Sequence, residues 1–140
     1  MPENLDAFTP DAMTQRLPKP TDAELTILRV LWSRGPSTVR QVHDELTTER
    51  STGYTTTLKL LQIMAEKGLV RRDESDRTHV YAARATEEQT QKQLTQDLLD
   101  RAFDGSAMKL VMQALSSRRA SREELDEIRE LLDKAERGIR

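Results

Sequence analysis

The spacing of the apolar residues changes from helical to alternating at Gly68, and this change restricts the possible folds more than any other feature of the chain. Before Gly68, apolar residues recur every three or four positions, which is the period of an α-helix. After it, residues 69–72 and 78–81 flank a charged segment at 73–77, as the strands of a β-hairpin do. The pattern therefore predicts helices followed by a two-stranded hairpin.

Capping and breaking residues divide the helical part into three predicted helices. The first begins at a capping box in residues 21–24 and ends at Gly35, and the second follows a cap at Ser37 or Thr38. The third runs from about Thr55 to Lys67. Three helices followed by a hairpin is the element order of a winged helix-turn-helix domain, and this is the fold that we predict.

Proline content and further capping boxes predict how the chain divides into regions. Residues 1–20 contain four of the five prolines and are predicted to form a flexible tail. Residues 21–85 form the predicted winged helix, and residues 86–140 form a C-terminal helical region with capping boxes at Thr86 and Ser121. The predicted fold class is mainly α with a small β-hairpin wing, followed by this helical region.

Composition and motif content exclude several functional classes. The chain has no cysteine, which excludes thiolate chemistry, and it has no apolar run long enough to span a membrane. No phosphate-binding loop or nucleophile motif occurs. His43, expected on the exposed side of the second helix, and His79, in the hairpin, are too isolated to predict a metal site. We expect a cytoplasmic protein that is not an enzyme and uses no cofactor.

The polar face of the third helix is the predicted DNA-reading surface. Its exposed positions are Thr55, Thr56, Lys59 and Gln62, on the side away from the apolar stripe. One α-helix fits the major groove, where hydroxyl, ammonium and amide groups reach base edges or phosphates. The alternative, that these residues only cap and solvate the helix, stays open at this point.

The predicted wing adds a second group of cations. Arg71, Arg72, Arg77 and His79 fall on its strands or at its tip, in positions suited to phosphate oxygens. Acidic residues between these arginines oppose their charge, and the whole chain has a net charge of only −2. Any basic surface must therefore be local, and the helix and wing together predict double-stranded DNA as the partner.

Apolar stripes in the C-terminal region have two interpretations, because they either fold back within one chain or pair with a second copy. We favour a homodimer, since the winged helix has its own core and a two-fold dimer matches a palindromic DNA site. The predicted dimerisation residues share helical spacing along these stripes, and they are Leu94, Leu98, Leu99, Phe103, Val111, Leu115, Leu125, Ile128 and Leu132.

Two long segments and one short one resemble a known family. The segment AELTILRVLWSRGPSTVRQVHDEL is similar to the opening pair of helices of that family, with its tryptophan near the end of the first helix. The segment GYTTTLKLLQIMAEKGLVRR is similar to its recognition helix and following strand, and THVYAA fits the next strand. Over residues 21–135 the chain thus resembles the penicillinase repressor family (BlaI/MecI type), which regulates β-lactamase and methicillin resistance.

The resemblance implies a homodimeric winged-helix repressor that binds an inverted-repeat operator. Known members are released from DNA when the signal of a membrane sensor leads to proteolysis in the dimerisation region. The resemblance also implies that residues 71–79 form the wing and that the recognition-helix positions are Tyr54, Thr55, Thr56, Lys59 and Gln62.

The chain departs from this family pattern at three points. Gln113 and Ala114 stand where the penicillinase repressors have an Asn-Phe scissile pair, so the cleavage signal is not carried over. Ile63 occupies a position where many members have arginine, and the C-terminal cysteines of copper-responsive relatives are missing. A regulatory protease or sensor is therefore a partner that the resemblance implies but these residues do not establish.

Two functional hypotheses follow. The first is a bacterial transcriptional repressor that binds a palindromic operator as a homodimer and controls β-lactamase or another stress or resistance response. The alternative is a winged-helix protein-interaction module without DNA binding, which the near-neutral net charge favours. Neither the operator nor the inducing signal is predicted by the sequence.

Overall fold

The computed structural model describes residues 17–46 and 53–138, and these residues contain six α-helices and one three-stranded sheet. They form two compact units, divided after Thr95. In chain order the elements are α1 (Asp22–Arg34), β1 (Ser37–Thr38), α2 (Val39–Leu46), α3 (Tyr54–Lys67), β2 (Val70–Asp73), β3 (Val80–Ala83), α4 (Glu87–Ala102), α5 (Ala107–Ser117) and α6 (Arg122–Gly138).

The predicted fold class is confirmed, because three helices, a small antiparallel sheet and a helical C-terminal part follow one another as expected. Apart from residues 17–20, the predicted tail lies outside the described residues. The predicted domain boundary after residue 85 lies just before the start of α4 at Glu87. The first compact unit, however, continues into this helix as far as Thr95.

Helix α1 begins at a complete capping box. The Thr21 hydroxyl accepts from the Glu24 amide at 3.2 Å, and Glu24 Oε1 accepts from the Thr21 amide at 2.9 Å. These bonds satisfy amide groups that the start of a helix leaves unpaired. The helix ends at Gly35, whose φ of +91° is a conformation that suits glycine because it has no Cβ.

The sheet contains a strand that the sequence pattern did not predict. Strand β1 pairs antiparallel with β3, which in turn pairs with β2, so the order is β1-β3-β2. Ser37 lies opposite Tyr81, and both are buried. A strand of two residues is too short to show alternating polarity, so only the folded chain reveals it.

The strands of the wing begin and end at residues other than those predicted. Strand β3 covers Val80–Ala83 rather than residues 78–81, and Asp73 lies opposite Val80. Asp73 Oδ1 accepts from the Ser75 amide at 2.9 Å, a local turn that ends β2 and keeps the following residues out of the ladder. As a result, Thr78 and His79 lie in the loop of the wing and not on a strand.

The first unit encloses its own hydrophobic core between α1, α2, α3 and the sheet. Thr57, the one polar residue of α3 that is fully buried, satisfies its hydroxyl by donating to the Gly53 carbonyl at 3.3 Å. The buried apolar residues are Ile27, Leu28, Leu31, Val39, Val42, Leu46, Leu61, Met64, Leu69, Val70 and Tyr81.

A charged contact ties the start of α1 to the end of α3. Glu24 is only 3% exposed, and its carboxylate lies 2.7 Å from Lys67 Nζ. Burial alone would raise the pKa of Glu24, but the hydrogen bonds and charge from Lys67 and the Thr21 amide outweigh it. The pKa therefore lies below its ordinary value of 4.5. Glu24 thus serves both as a cap and as a buried ionic anchor.

The path into α4 is fixed against α1 by one side chain. Trp32 Nε1 donates to the Ala85 carbonyl at 2.9 Å, across the first unit. Thr86 and Gln89 then form the predicted capping box, with bonds of 2.9 and 3.0 Å. The chain therefore enters α4 at a defined position on the winged helix.

The second unit consists of capped helices with little burial of their own. Ser106 caps α5 by accepting from the Lys109 amide at 3.2 Å, and Ser121 caps α6 by accepting from the Glu124 amide at 3.0 Å. No described residue of α5 or α6 is buried. Local capping defines these two helices, but buried side chains do not hold them in place.

Candidate nucleic-acid interface

The outer face of α3 presents a continuous polar stripe. Thr55, Lys59 and Gln62 are exposed at positions i, i+4 and i+7, opposite the buried side of the helix. Thr56 and Ile63 border this stripe and are also exposed. The helix therefore offers hydroxyl, ammonium and amide groups on a single face, with one apolar side chain beside them.

The two adjacent arginines of β2 have different surroundings. Arg72 lies opposite Tyr81 in the ladder, whereas Arg71 lies opposite Ala82, so successive side chains point to opposite faces of the sheet. Arg72 Nε is 2.6 Å from Glu74 Oε2. Hydrogen bonding with Tyr81, and then with Glu74, raises the pKa of Arg72 above its ordinary value. The positive charge of Arg72 is thus partly balanced by Glu74 within the wing.

The loop of the wing carries the remaining predicted cations. Arg77 and His79 are exposed and make no ion pair with a described residue. Asp73, at the start of this loop, accepts from the Ser75 amide, and this hydrogen bond lowers its pKa. The loop therefore combines an ionised carboxylate at its base with the guanidinium of Arg77, which has no ionic partner among the described residues.

A groove of about 350 Å³ separates α3 from the wing and collects half of the predicted DNA-binding residues. Its walls come from α2, α3, the wing loop and the sheet, all within the first unit. The predicted residues that line it are Gln62, Arg72, Arg77 and His79. Those that lie outside its lining, on the adjoining exposed surface, are Thr55, Thr56, Lys59 and Arg71.

Two further residues line this groove as a pair, Tyr54, which the family resemblance places on the recognition helix, and Arg40, which was not among the predicted DNA-binding residues. Arg40, at the start of α2, places its guanidinium carbon 4.8 Å from the centroid of the Tyr54 ring. Both residues line the groove. Local spacing does not reveal this pair, because Arg40 and Tyr54 lie on different helices and meet only when α2 and α3 pack together.

His43 packs against the Tyr54 ring instead of pointing into solvent. Its ring meets that of Tyr54 edge to face, with centroids 5.6 Å apart. The side chain is half-buried, and its Nδ1 atom has no hydrogen-bond partner among the described residues. The expectation of an exposed His43 was wrong because Tyr54 covers that side of α2.

The described residues hold neither a metal-binding cluster nor a membrane-spanning helix. Residues 17–46 and 53–138 contain no group of three or more His, Cys, Asp or Glu side chains arranged to hold a metal ion. Over the same ranges, each helix is too short or too polar to cross a membrane.

Sequence comparison relates most of the chain to one family of regulators. The family model described as penicillinase repressor matches residues 20–134. The transcriptional regulator BlaI of Mycobacterium tuberculosis is 35% identical over 118 residues, which cover 84% of this chain and 85% of that protein. The penicillinase repressor of Bacillus licheniformis is 24% identical over 119 residues, covering 85% of this chain and 93% of that protein.

Structural comparison finds several solved chains that are similar to this one. The solution structure of the DNA binding domain of the repressor BlaI aligns with a TM-score of 0.48 at 24% identity, covering 54% of this chain and 93% of that one. A MarR family protein from Bacillus stearothermophilus aligns with a TM-score of 0.47 at 18% identity, covering 85% of this chain and 74% of that one.

The family match extends beyond the winged helix into the C-terminal helices, since it includes all of α4 and α5 and most of α6. It confirms the resemblance that the two long sequence segments suggested, and it does not favour a protein-interaction module without DNA binding. The chain belongs to the penicillinase repressor family, and the protein is a bacterial transcriptional repressor with a winged-helix domain.

Proposed function

We propose that this repressor binds a palindromic operator as a homodimer, with α3 in the major groove and the wing beside the phosphate backbone. The observation that carries the proposal is the polar stripe of Thr55, Lys59 and Gln62, which stands next to a groove lined with cations. Because such binding requires access to the chromosome, we infer a cytoplasmic location. The proposal assigns no catalytic role to any side chain.

The side chains of the stripe suit different parts of a base pair. The Lys59 ammonium suits the O6 and N7 acceptors of guanine, and the Gln62 amide suits the paired donor and acceptor of adenine. Thr55, Thr56 and Ile63 offer methyl groups that pack against the methyl of thymine. Arg71, Arg77 and His79 would contact phosphates, which position the protein without reading the sequence.

The homodimer is supported by the apolar side chains that the C-terminal helices leave uncovered. Met108 is 70% exposed on α5, and Leu132 is 64% exposed on α6. Exposed apolar stripes of this kind are usually covered by a partner. In the predicted dimerisation set, Leu98, Val111, Leu115 and Leu132 are exposed and Leu94, Leu99, Phe103, Leu125 and Ile128 are half-buried.

Release by proteolysis would require a conformational change at the site where relatives are cut. Gln113 and Ala114 lie inside α5, where the backbone is helical. Cleavage of this bond would need local unwinding, because a regular helix does not offer an extended chain to a protease. We therefore propose that any regulatory protease or sensor pathway acting on this protein leads to cleavage of a different peptide bond.

The direct test measures binding to fluorescent duplexes from the protein's own upstream region across a range of salt concentrations. We expect binding that weakens steeply as salt rises, because counterions are released when cations neutralise phosphates. Sedimentation of the complex should give two protein chains per operator. Absence of binding to every upstream fragment would contradict the proposal.

The Lys59→Ala variant tests the reading face itself. We expect its affinity for the operator to fall by about 1–3 kcal/mol, with a smaller change on unrelated duplex, if Lys59 contacts a base. Lys92→Ala, on the exposed surface of α4, removes the same charge elsewhere and provides the control. Equal operator affinity of the two variants would remove Lys59 from the reading set.

A further inference from the structure

The groove between α3 and the wing has an unusual charge for this chain. The protein as a whole is slightly acidic, with a net charge of −2. The groove is nevertheless lined by Arg40, Arg72, Arg77 and His79, and none of the described residues in its lining is acidic. The local charge therefore favours an anion, in contrast to the charge of the whole molecule.

Two of these cations have a geometry that suits different roles. Arg72 is held by Glu74 at 2.6 Å, so part of its charge is already balanced inside the wing. The guanidinium of Arg40 lies against the Tyr54 ring and makes no ion pair with a described residue. Arg40 is therefore the cation on the helical wall that remains available to a ligand.

The Tyr54 ring restricts where the Arg40 guanidinium can lie, because the Arg40 Cζ atom is 4.8 Å from the ring centroid. A guanidinium that packs its face on an aromatic ring keeps its N–H groups at the edge, where they point away from the ring. His43 also contacts the Tyr54 ring, edge to face. These contacts hold the Arg40 guanidinium beside the groove before any ligand is bound.

The size and position of the groove identify the kind of anion. A volume of about 350 Å³ is far above the roughly 10–15 Å³ that one water molecule needs, so the groove has room for a phosphate group. Gln62, a member of the α3 stripe, forms part of the same wall. A DNA strand whose bases met the stripe would carry its backbone into this groove.

We propose that the groove holds a backbone phosphate of the operator, with Arg40 as its contact on α2 and Tyr54 as the residue that positions Arg40. This inference rests on the proposed DNA binding and deepens it. It adds a phosphate contact from α2 to the reading helix and the wing. Because phosphates carry no sequence information, the contact strengthens binding to operator and unrelated duplex alike.

The test compares Arg40→Ala with wild type on operator and unrelated duplexes at several salt concentrations. We expect about a tenfold loss of affinity for both duplexes, as for one hydrogen bond to a charged group. The slope of log K against log salt should decrease by about one. Arg29→Ala, an exposed arginine of α1 outside the groove lining, should leave affinity and slope unchanged.

Substitutions of Tyr54 separate positioning from a general loss of structure. Tyr54→Phe keeps the ring, so we expect wild-type affinity. Tyr54→Leu removes the ring and should lower the affinity for both duplexes without changing the thermal midpoint of unfolding of the domain. Arg40→Lys keeps the charge but not the planar guanidinium. Its affinity for both duplexes should lie between those of wild type and Arg40→Ala.

The outcomes distinguish this inference from the proposed function. If wild-type protein binds no upstream duplex, both are wrong. If it binds and Arg40→Ala has the same affinity and salt slope, only the phosphate contact is overturned. A loss restricted to the operator would also overturn it, because that result identifies Arg40 as a base-reading residue.

Discussion

The winged-helix unit and the C-terminal helices differ in where their apolar side chains go. In the first unit, Leu28, Leu61 and Tyr81 are completely or almost completely buried in one core. In α5 and α6 no described residue is buried, although both helices have apolar stripes and regular caps. The same local rules thus produce a closed core in one region and uncovered stripes in the other.

The free energy of unfolding of this protein therefore has two sources. A closed core stabilises a domain whether or not a second copy is present, because its contacts lie within one chain. Uncovered stripes contribute only when something covers them, so their stabilisation depends on concentration if the cover is another chain. The stability of the core and the stability that a partner chain provides can therefore be measured separately.

The largest effect is expected from Leu61→Ala, which removes a fully buried side chain of α3. We expect a loss of about 2–5 kcal/mol in the free energy of unfolding of the first unit, from lost burial and the cavity left behind. Chemical denaturation should show the same loss at every protein concentration.

Leu115→Ala makes the same chemical change on an exposed position of α5 and serves as its counterpart. We expect its effect to be small where the protein is monomeric and to grow as rising concentration favours the dimer, since Leu115 belongs to the predicted dimer surface. A concentration-independent loss as large as that of Leu61→Ala would break the contrast between the two regions.

The next effect concerns the dimer itself and uses Leu132→Asp on α6. We expect the free energy of dimerisation to fall by about 2–3 kcal/mol, because an apolar contact is lost and a charge would be buried. Analytical ultracentrifugation measures the change. Lys134→Asp, on the opposite side of α6, should leave association nearly unaltered, and unchanged association of both variants would contradict the proposed interface.

The smallest effect is expected from Glu24→Gln, which removes the buried charge that contacts Lys67. Because the pKa of Glu24 is lowered on folding, its ionised form stabilises the fold above about pH 4.5, and this contribution disappears as the pH falls through the folded-state pKa. We expect the variant to lose about 1 kcal/mol at pH 7 and to match wild type in acid.

A matched change in an exposed ion pair controls this experiment. Glu45 lies 3.5 Å from Arg34, and both side chains are well exposed to solvent. Glu45→Gln should therefore change stability very little at any pH. A gap between Glu24→Gln and wild type that stayed constant down to low pH would show that Glu24 acts by packing and not by charge.

The helices of both regions were predictable because their signals are local. The capping boxes at Thr21 and Thr86 form with both of their bonds, and Gly35 and Gly68 end α1 and α3 as expected. A cap depends on residues three positions apart, so the sequence contains all the information that it needs.

The features that the sequence did not predict depend on residues that are distant along the chain. Strand β1 exists because Ser37 and Thr38 meet β3, and the register of the wing depends on a turn at Asp73. The contact between Arg40 and Tyr54 likewise needs two helices to be packed together. Periodicity shows which face of an element is exposed, but not which exposed residues meet.

The hydrogen bond from Trp32 to the Ala85 carbonyl also makes the protein convenient to observe in solution. Trp32 is the only tryptophan of the chain, so its fluorescence comes from one place, the entrance to α4. Opening of this entrance would shift the emission to longer wavelength as the indole meets water. The emission spectrum therefore reports on the joint between the DNA-binding domain and α4 without any added label.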